Sequence, residues 1–204
     1  MKYSKIENFL SESRRDTLFN NIIDINKKGL FNRESVENER KSDIFRANDM
    51  GSYSYIFSNT KFFYSLYESL NKVCQTFDYT VNFSAIRTEI YVESMNNDSF
   101  YNVYKTANTN SRRKLCFRYY LNKEPKSFKG GNFVIYGDSR PFKEPSAYRE
   151  ANHEPKNNSI IFLPANYWVE CSRIECESEK FEDGQLCING WITDGLYKSD
   201  MSDK

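Results

Sequence analysis

Apolar positions recur at two different periods along this chain, and the change of period divides it. From about Ser4 to Lys28, Ile6, Phe9, Leu10, Leu18, Ile22, Ile23 and Ile25 recur at spacings near three and four, with charged residues between them. That spacing puts them on one face of a helix, and Gly29 is its natural stop. Residues 31–52 are polar and irregular and read as a loop with room for a first strand. From about Asn59 to Thr76, Phe62, Phe63, Leu66, Leu70, Val73 and Phe77 form a second helical stripe.

The period then drops to two. Val81, Phe83 and Ala85 begin it and Ile86 to Val92 extends it. Asn96-Asn-Asp-Ser is a turn cluster. Phe100 to Lys105 reads as a short aromatic strand, and Thr106 to Ser111 as a loop. Lys114 to Leu121 reads as a strand, Asn122 to Gly131 as a turn, and Asn132 to Tyr136 as another strand. Gly137 to Lys156 is a long loop rich in proline and charge. Ser159 to Leu163, Tyr167 to Ile174 and Leu186 to Ile192 read as strands, and 195–204 as a polar tail. The plan is one domain over 1–204, with helical support over 1–80, a β-core over 81–194 and the tail behind it. The fold class is α+β, mainly β. Two N-terminal helices pack on one sheet of a double-sheet jelly roll, which manages its own strand edges.

Composition changes this picture little. At 204 residues the chain can bury a sizeable core. Lys and Arg number 29 against 28 Asp and Glu, a net charge of +1, which favours neither nucleic acid nor an anionic membrane as the main partner. The 16% aromatic content suits half-buried sheet. The five cysteines are odd in number and lack CxxC spacing, so they read as reduced thiols. The polar N-terminus has no apolar h-region and no apolar run reaches the roughly 20 residues of a membrane span. The expected location is cytoplasmic.

Several motifs follow one another along the β-region. They are Glu89-Ile-Tyr-Val, Asp98-Ser-Phe-Tyr, Arg112-Arg-Lys-Leu-Cys-Phe-Arg-Tyr-Tyr-Leu-Asn122 and Phe128-Lys-Gly-Gly-Asn-Phe-Val-Ile-Tyr136. Pro155-Lys-Asn-Asn-Ser-Ile-Ile-Phe-Leu-Pro164 and Asn189-Gly-Trp-Ile192 complete the series. Their order, over roughly residues 60–192, resembles the prolyl 4-hydroxylase-like branch of the 2-oxoglutarate/Fe(II)-dependent oxygenases. The resemblance implies a double-stranded β-helix, cupin-like, with a facial His-x-Asp…His iron site and a basic residue for the far carboxylate of 2-oxoglutarate.

The positions that the resemblance assigns to this chemistry hold other residues. Tyr104 and Thr106 stand for His and Asp, Val169 for the distal His, and Gln185 for the Arg. The whole chain has one histidine, His153, so no alignment yields a two-His site within it. Val169 has no donor atom, and neutral Tyr and Thr are poor Fe(II) ligands.

Two functions follow as expectations. The first is a degenerate oxygenase-like protein that binds a small molecule or a protein partner, for instance an intact oxygenase relative. The second is an enzyme that reuses the pocket for other chemistry on a small molecule, as in a biosynthetic pathway, with Tyr104, Glu170, His153 and Lys105 as candidate catalytic groups. The expected ligand pocket is Tyr104, Thr106, Trp168, Val169, Gln185 and Cys187, either an uncharged hydrogen-bonding cavity or one filled by its own side chains. No cofactor is expected, with Fe(II) and 2-oxoglutarate entering only through an atypical site. Glu89 and Glu170 read as solvated or paired carboxylates, and Arg112-Arg113-Lys114 with Arg118 as a solvated strand start.

Overall fold

A computed structural model describes residues 3–35, 40–41, 43–47, 50–107, 112–141, 151–178 and 180–198. In chain order the elements begin with β1 (Ser4–Glu7), α1 (Glu12–Lys27), β2 (Phe31–Ser35), β3 (Arg40–Lys41) and β4 (Asp43–Ala47). Then come α2 (Met50–Phe57), α3 (Phe62–Phe77), β5 (Tyr79–Val81), β6 (Arg87–Met95), β7 (Phe100–Lys105) and β8 (Arg113–Tyr120). The C-terminal half holds β9 (Lys129–Gly130), β10 (Phe133–Gly137), β11 (Ala151–His153), β12 (Ser159–Pro164), β13 (Trp168–Cys171), β14 (Ile174–Glu175), β15 (Gln185–Thr193) and β16 (Leu196–Lys198).

Two antiparallel sheets face each other. The larger has the order β1-β12-β8-β15-β6-β4-β2 and the smaller β11-β10-β13-β7-β3. Period-two alternation sorts each central strand of the larger sheet. Leu115, Phe117 and Tyr119 of β8, with Ile160 and Phe162 of β12 and Ile188 and Ile192 of β15, join Leu18, Ile22, Leu66, Leu70 and Val73 of the helices in one core. The alternate residues, Cys116, Tyr120, Ile161, Leu163 and Cys187, meet Phe133, Ile135 and Val169 of the smaller sheet in a second core. Each such side chain stabilises the fold by about 1.5–3 kcal/mol on burial. The result is helices on one side, a sheet buried on both faces, and a barrel interior between the sheets. This is the mainly-β, double-stranded β-helix class that the sequence predicts.

Local details depart from the periodic reading. Ser4–Glu7 is not the start of a helix but an edge strand, paired antiparallel with Ser159–Phe162. Asn8 takes a left-handed conformation (φ 52°) and breaks the chain there. Asn158 then clamps the turn: its Oδ1 accepts from the Leu10 N–H at 2.9 Å and its Nδ2 donates to the Leu10 carbonyl at 2.7 Å. Phe9 and Leu10 therefore reach the core from a turn, at spacings that imitate a helix.

The stretch read as a loop over 31–52 carries strands β2–β4 and the start of α2. Left-handed Asn59 and Lys61 separate α2 from α3, so three α-helices rather than two occur among the described residues. Lys198 closes a small ribbon with β5 in what the sequence suggests is tail. His153 lies on strand β11 rather than in a loop. The expected loops over 108–111 and 142–150, and the tail from 199, lie outside the described residues. No described helix is long and apolar enough to cross a membrane.

Candidate functional site

The smaller sheet brings two of the four diagnostic positions face to face. β13 runs antiparallel to β7, with Val169 opposite Tyr104 and Trp168 opposite Lys105. Burial alternates along β13, so Val169 and Cys171 enter the barrel while Trp168 and Glu170 stand on the outer face. Tyr104 packs on the Val169 cluster and lies 5.5 Å, ring to ring, from Tyr101. Thr106, just beyond β7, donates its hydroxyl to the Ala165 carbonyl at 2.5 Å and so ties the β12–β13 turn. Its own carbonyl accepts from the Trp191 indole N–H at 3.1 Å.

The polar centre of the interior comes from the larger sheet. Arg118 on β8 and Glu93 on β6 flank β15 and pair at 3.1 Å, with side chains 3% and 0% exposed. Asn189, between them on β15, donates from Nδ2 to Glu93 Oε2 at 3.0 Å. A second guanidinium nitrogen of Arg118 donates to Gln185 Oε1 at 3.1 Å and approaches Met95 Sδ at 3.4 Å. Gln185 in turn donates from Nε2 to the Gly131 carbonyl at 2.9 Å. Gly131 has φ +70°, and a Cβ there would stand 2.5 Å from that Nε2, so the position requires glycine. The rings of Tyr120 and Phe133 each lie 5.5 Å from the Arg118 guanidinium carbon.

Charge in this interior is set by burial and by the ion pair. Burial works against the Arg118 charge, but the Glu93 carboxylate beside it holds the guanidinium protonated. Burial pushes the Cys116 and Cys171 thiols up to about 12 and raises Cys187 in the same direction. The phenols of Tyr91, Tyr104 and Tyr120 rise for the same reason. At neutral pH these groups are uncharged, so none of them is a ready nucleophile or anionic ligand.

Of the residues expected in a pocket, Tyr104, Val169 and Cys187 come together in the interior, and Gln185 joins them through Arg118. Thr106 is held by the β12–β13 turn. Trp168 is a correction: strand alternation turns it outward, where Lys105 and Arg140 lie 6.0 and 5.2 Å from its ring. The four candidate catalytic groups do not converge either. Glu170 is on the outer face and accepts a hydrogen bond from Tyr136, and Lys105 shares that face. His153, on the edge strand β11, meets Tyr3 edge-on at 4.7 Å. Only Tyr104 faces the interior.

Sequence reasoning missed Arg118, Glu93 and Asn189. Arg118 is buried, not part of a solvated strand start. The available signal was its place between Cys116 and Tyr120 in a strand apolar on both faces. Asn158 was missed as well. Besides holding Leu10, it accepts from the Tyr119 hydroxyl at 3.0 Å.

No family model matches the chain. An uncharacterized PKHD-type hydroxylase of Synechocystis sp. is 23% identical over 195 residues, which cover 93% of this chain and 62% of that relative. The chain thus spans less than two thirds of the relative's length. A prolyl-4-hydroxylase from Pseudomonas putida superposes with a TM-score of 0.67 at 15% identity, covering 94% of this chain and 92% of that one. The viral collagen prolyl hydroxylase of Paramecium Bursaria Chlorella virus-1, solved as a 2OG complex, gives 0.55 at 16% identity, with 95% and 96% covered. The chain therefore resembles the prolyl 4-hydroxylase-like branch of the 2-oxoglutarate/Fe(II) oxygenases and shares its fold.

These likenesses correct one expectation. The absence of any cofactor does not stand, because the similar proteins are hydroxylases by name and one was solved with 2OG. The side chains of this protein fit the family's iron arrangement poorly all the same. Tyr104, Thr106 and Val169 supply no imidazole and no carboxylate. Among the described residues, no three His, Cys, Asp or Glu side chains stand close enough together to hold a metal ion.

Proposed function

We propose that this chain is a binding protein on an oxygenase scaffold, taking a small molecule or a protein partner in place of 2-oxoglutarate-coupled oxidation. One observation carries the reading. Tyr104 and Val169 face each other where the resemblance sets two metal-binding histidines, while the single histidine of the chain sits at the sheet edge with Tyr3. The interior behind them is crossed by the Arg118–Glu93 pair and its links to Asn189 and Gln185.

Unsatisfied polar atoms remain there. Arg118 Nε and the Tyr120 hydroxyl are buried without a hydrogen-bond partner, and such atoms call for water or a ligand. A protein partner, including an intact oxygenase relative, is the other occupant consistent with the reading.

Two measurements on the full chain test it. Succinate release from 2-oxoglutarate in the presence of Fe(II) and ascorbate should stay at the protein-free rate, and enzyme-dependent turnover would sink the proposal. A thermal-stability screen should then identify what the interior takes, with Fe(II) and 2-oxoglutarate among the first compounds tried. A ligand at a hundred times its Kd stabilises by about 2.7 kcal/mol.

A further inference from the structure

The outer face of the smaller sheet carries two cations over one tryptophan. Lys105 Nζ lies 6.0 Å and the Arg140 guanidinium carbon 5.2 Å from the Trp168 ring centre. Arg140 is exposed, while Lys105 and Trp168 are half-buried. Elsewhere a described cation over an aromatic ring also has a carboxylate. Arg113 over Trp191 pairs with Glu89, and Arg173 over Phe100 pairs with Asp98 at 2.9 Å. Lys126 over Phe128 pairs with Glu154 at 2.7 Å, and Lys28 over Tyr55 with Asp24 at 2.6 Å. Arg118 beside Tyr120 has Glu93 at 3.1 Å. Among the described residues, only Lys105 and Arg140 lie over a ring without an ion pair.

The nearest carboxylates in the chain are engaged otherwise. Glu170 accepts from the Tyr136 hydroxyl, and Asp138 accepts from the Ser139 hydroxyl at 3.1 Å. Two like charges over one ring repel each other, and an anion that meets both relieves the repulsion. Each cation is within 6.0 Å of the same point, so the two ends of one short molecule can reach both. The size of the face narrows the partner further. Val134, opposite Glu170 in the strand register, and Tyr136, bonded to it, are each 2% exposed. That leaves a small accessible area around Trp168, whereas a stable protein interface takes roughly 20–30 residues from each side. We propose that Lys105, Arg140 and Trp168 bind a small dianion, a molecule with two phosphate or carboxylate groups, one on each cation and its body against the ring. The site lies across β13 from the barrel interior and is independent of the function proposed for that interior.

The test uses the intact chain with pyrophosphate and succinate as probes, at constant ionic strength. It follows the indole N–H resonances of the two tryptophans in ¹⁵N-edited NMR spectra. Trp191 donates its indole N–H to the Thr106 carbonyl at 3.1 Å and is the control within the same molecule. At least one probe should shift Trp168 saturably and leave Trp191 in place, and which one does so tells phosphate from carboxylate recognition. Lys105→Gln and Arg140→Gln should each weaken that binding by about two- to fivefold, and together by about tenfold, in line with exposed charge pairs. Three results would each overturn the proposal: no saturable shift of Trp168 with either probe, equal shifts of both indoles, or undiminished binding by the folded double variant. The first two need no substitution, so a variant that fails to fold leaves the proposal fully exposed to refutation.

Discussion

A guanidinium moved from water into a protein interior loses several kcal/mol of hydration, and only close partners return it. Arg118 has them in Glu93 at 3.1 Å and Gln185 at 3.1 Å. Arg118→Met removes the cation and leaves the Glu93 carboxylate enclosed beside the neutral Asn189 amide. It should destabilise the fold by about 3–5 kcal/mol. Arg118→Met combined with Glu93→Leu should recover much of that, because the stranded charge is gone. Urea denaturation with an unchanged m-value checks both. If the double variant were as unstable as the single one, the loss would come from packing rather than charge.

His153 gives a second test at this scale. Burial holds its pKa below the ordinary value of 6.5, with Lys5 adding in the same direction. The folded chain therefore binds fewer protons than the unfolded chain in the window just below 6.5, and stability must rise with pH across it. His153→Phe should flatten that slope. With one histidine in the chain, its imidazole C–H resonances report the midpoint directly, and a midpoint above 6.5 would contradict the burial argument.

At the scale of elements, the sequence reveals what is periodic and hides what is paired at a distance. The β8 and β12 strands are legible because Leu115, Phe117, Ile160 and Phe162 alternate with a second apolar set. The positions of Tyr104, Val169 and Gln185 are legible because motif order fixes which strand each occupies. The ion pair is not. Arg118 and Glu93 are neighbours only because β15 inserts between β8 and β6, with Asn189 opposite Arg118 on one side and Tyr91 on the other. β1 is hidden for another reason: Ile6, Phe9 and Leu10 match helical spacing, and only the left-handed turn at Asn8 shows that they do not share a helix.

That turn depends on Asn158, whose side chain serves Leu10 N–H, the Leu10 carbonyl and the Tyr119 hydroxyl. Asn158→Ala leaves these groups without that partner and forces Ala into a left-handed conformation (φ 58° at Asn158). A loss of about 2–4 kcal/mol is expected, at 1–3 kcal/mol for each unsatisfied buried group with partial relaxation. Hydrogen exchange should show the Ser4–Glu7 amides opening first, and uniform exposure across the larger sheet would argue against a local clamp.

At the scale of the molecule, both cores share the larger sheet, and the five cysteines sample both. Cys74 belongs to the helix-side core, Cys116 and Cys187 to the barrel interior, and Cys171 and Cys176 to the cluster at its far end. All five are buried and free. Burial raises the Cys74 thiol to about 11 and those of Cys116 and Cys171 to about 12, so little thiolate exists near neutral pH even where a reagent could reach it. Separate cores joined through one sheet should open together. If they do, Ellman's reagent at pH 8 should modify Cys74 and Cys187 at one common rate, slower than a free thiol by the equilibrium constant for unfolding. Adding urea below the transition should accelerate both by the same factor, with the slope of global unfolding. Fast labelling of Cys187 alone, with Cys74 still protected, would mean that the barrel interior opens apart from the helix-packed core. The interior would then admit a ligand by local opening, without unfolding of the whole domain.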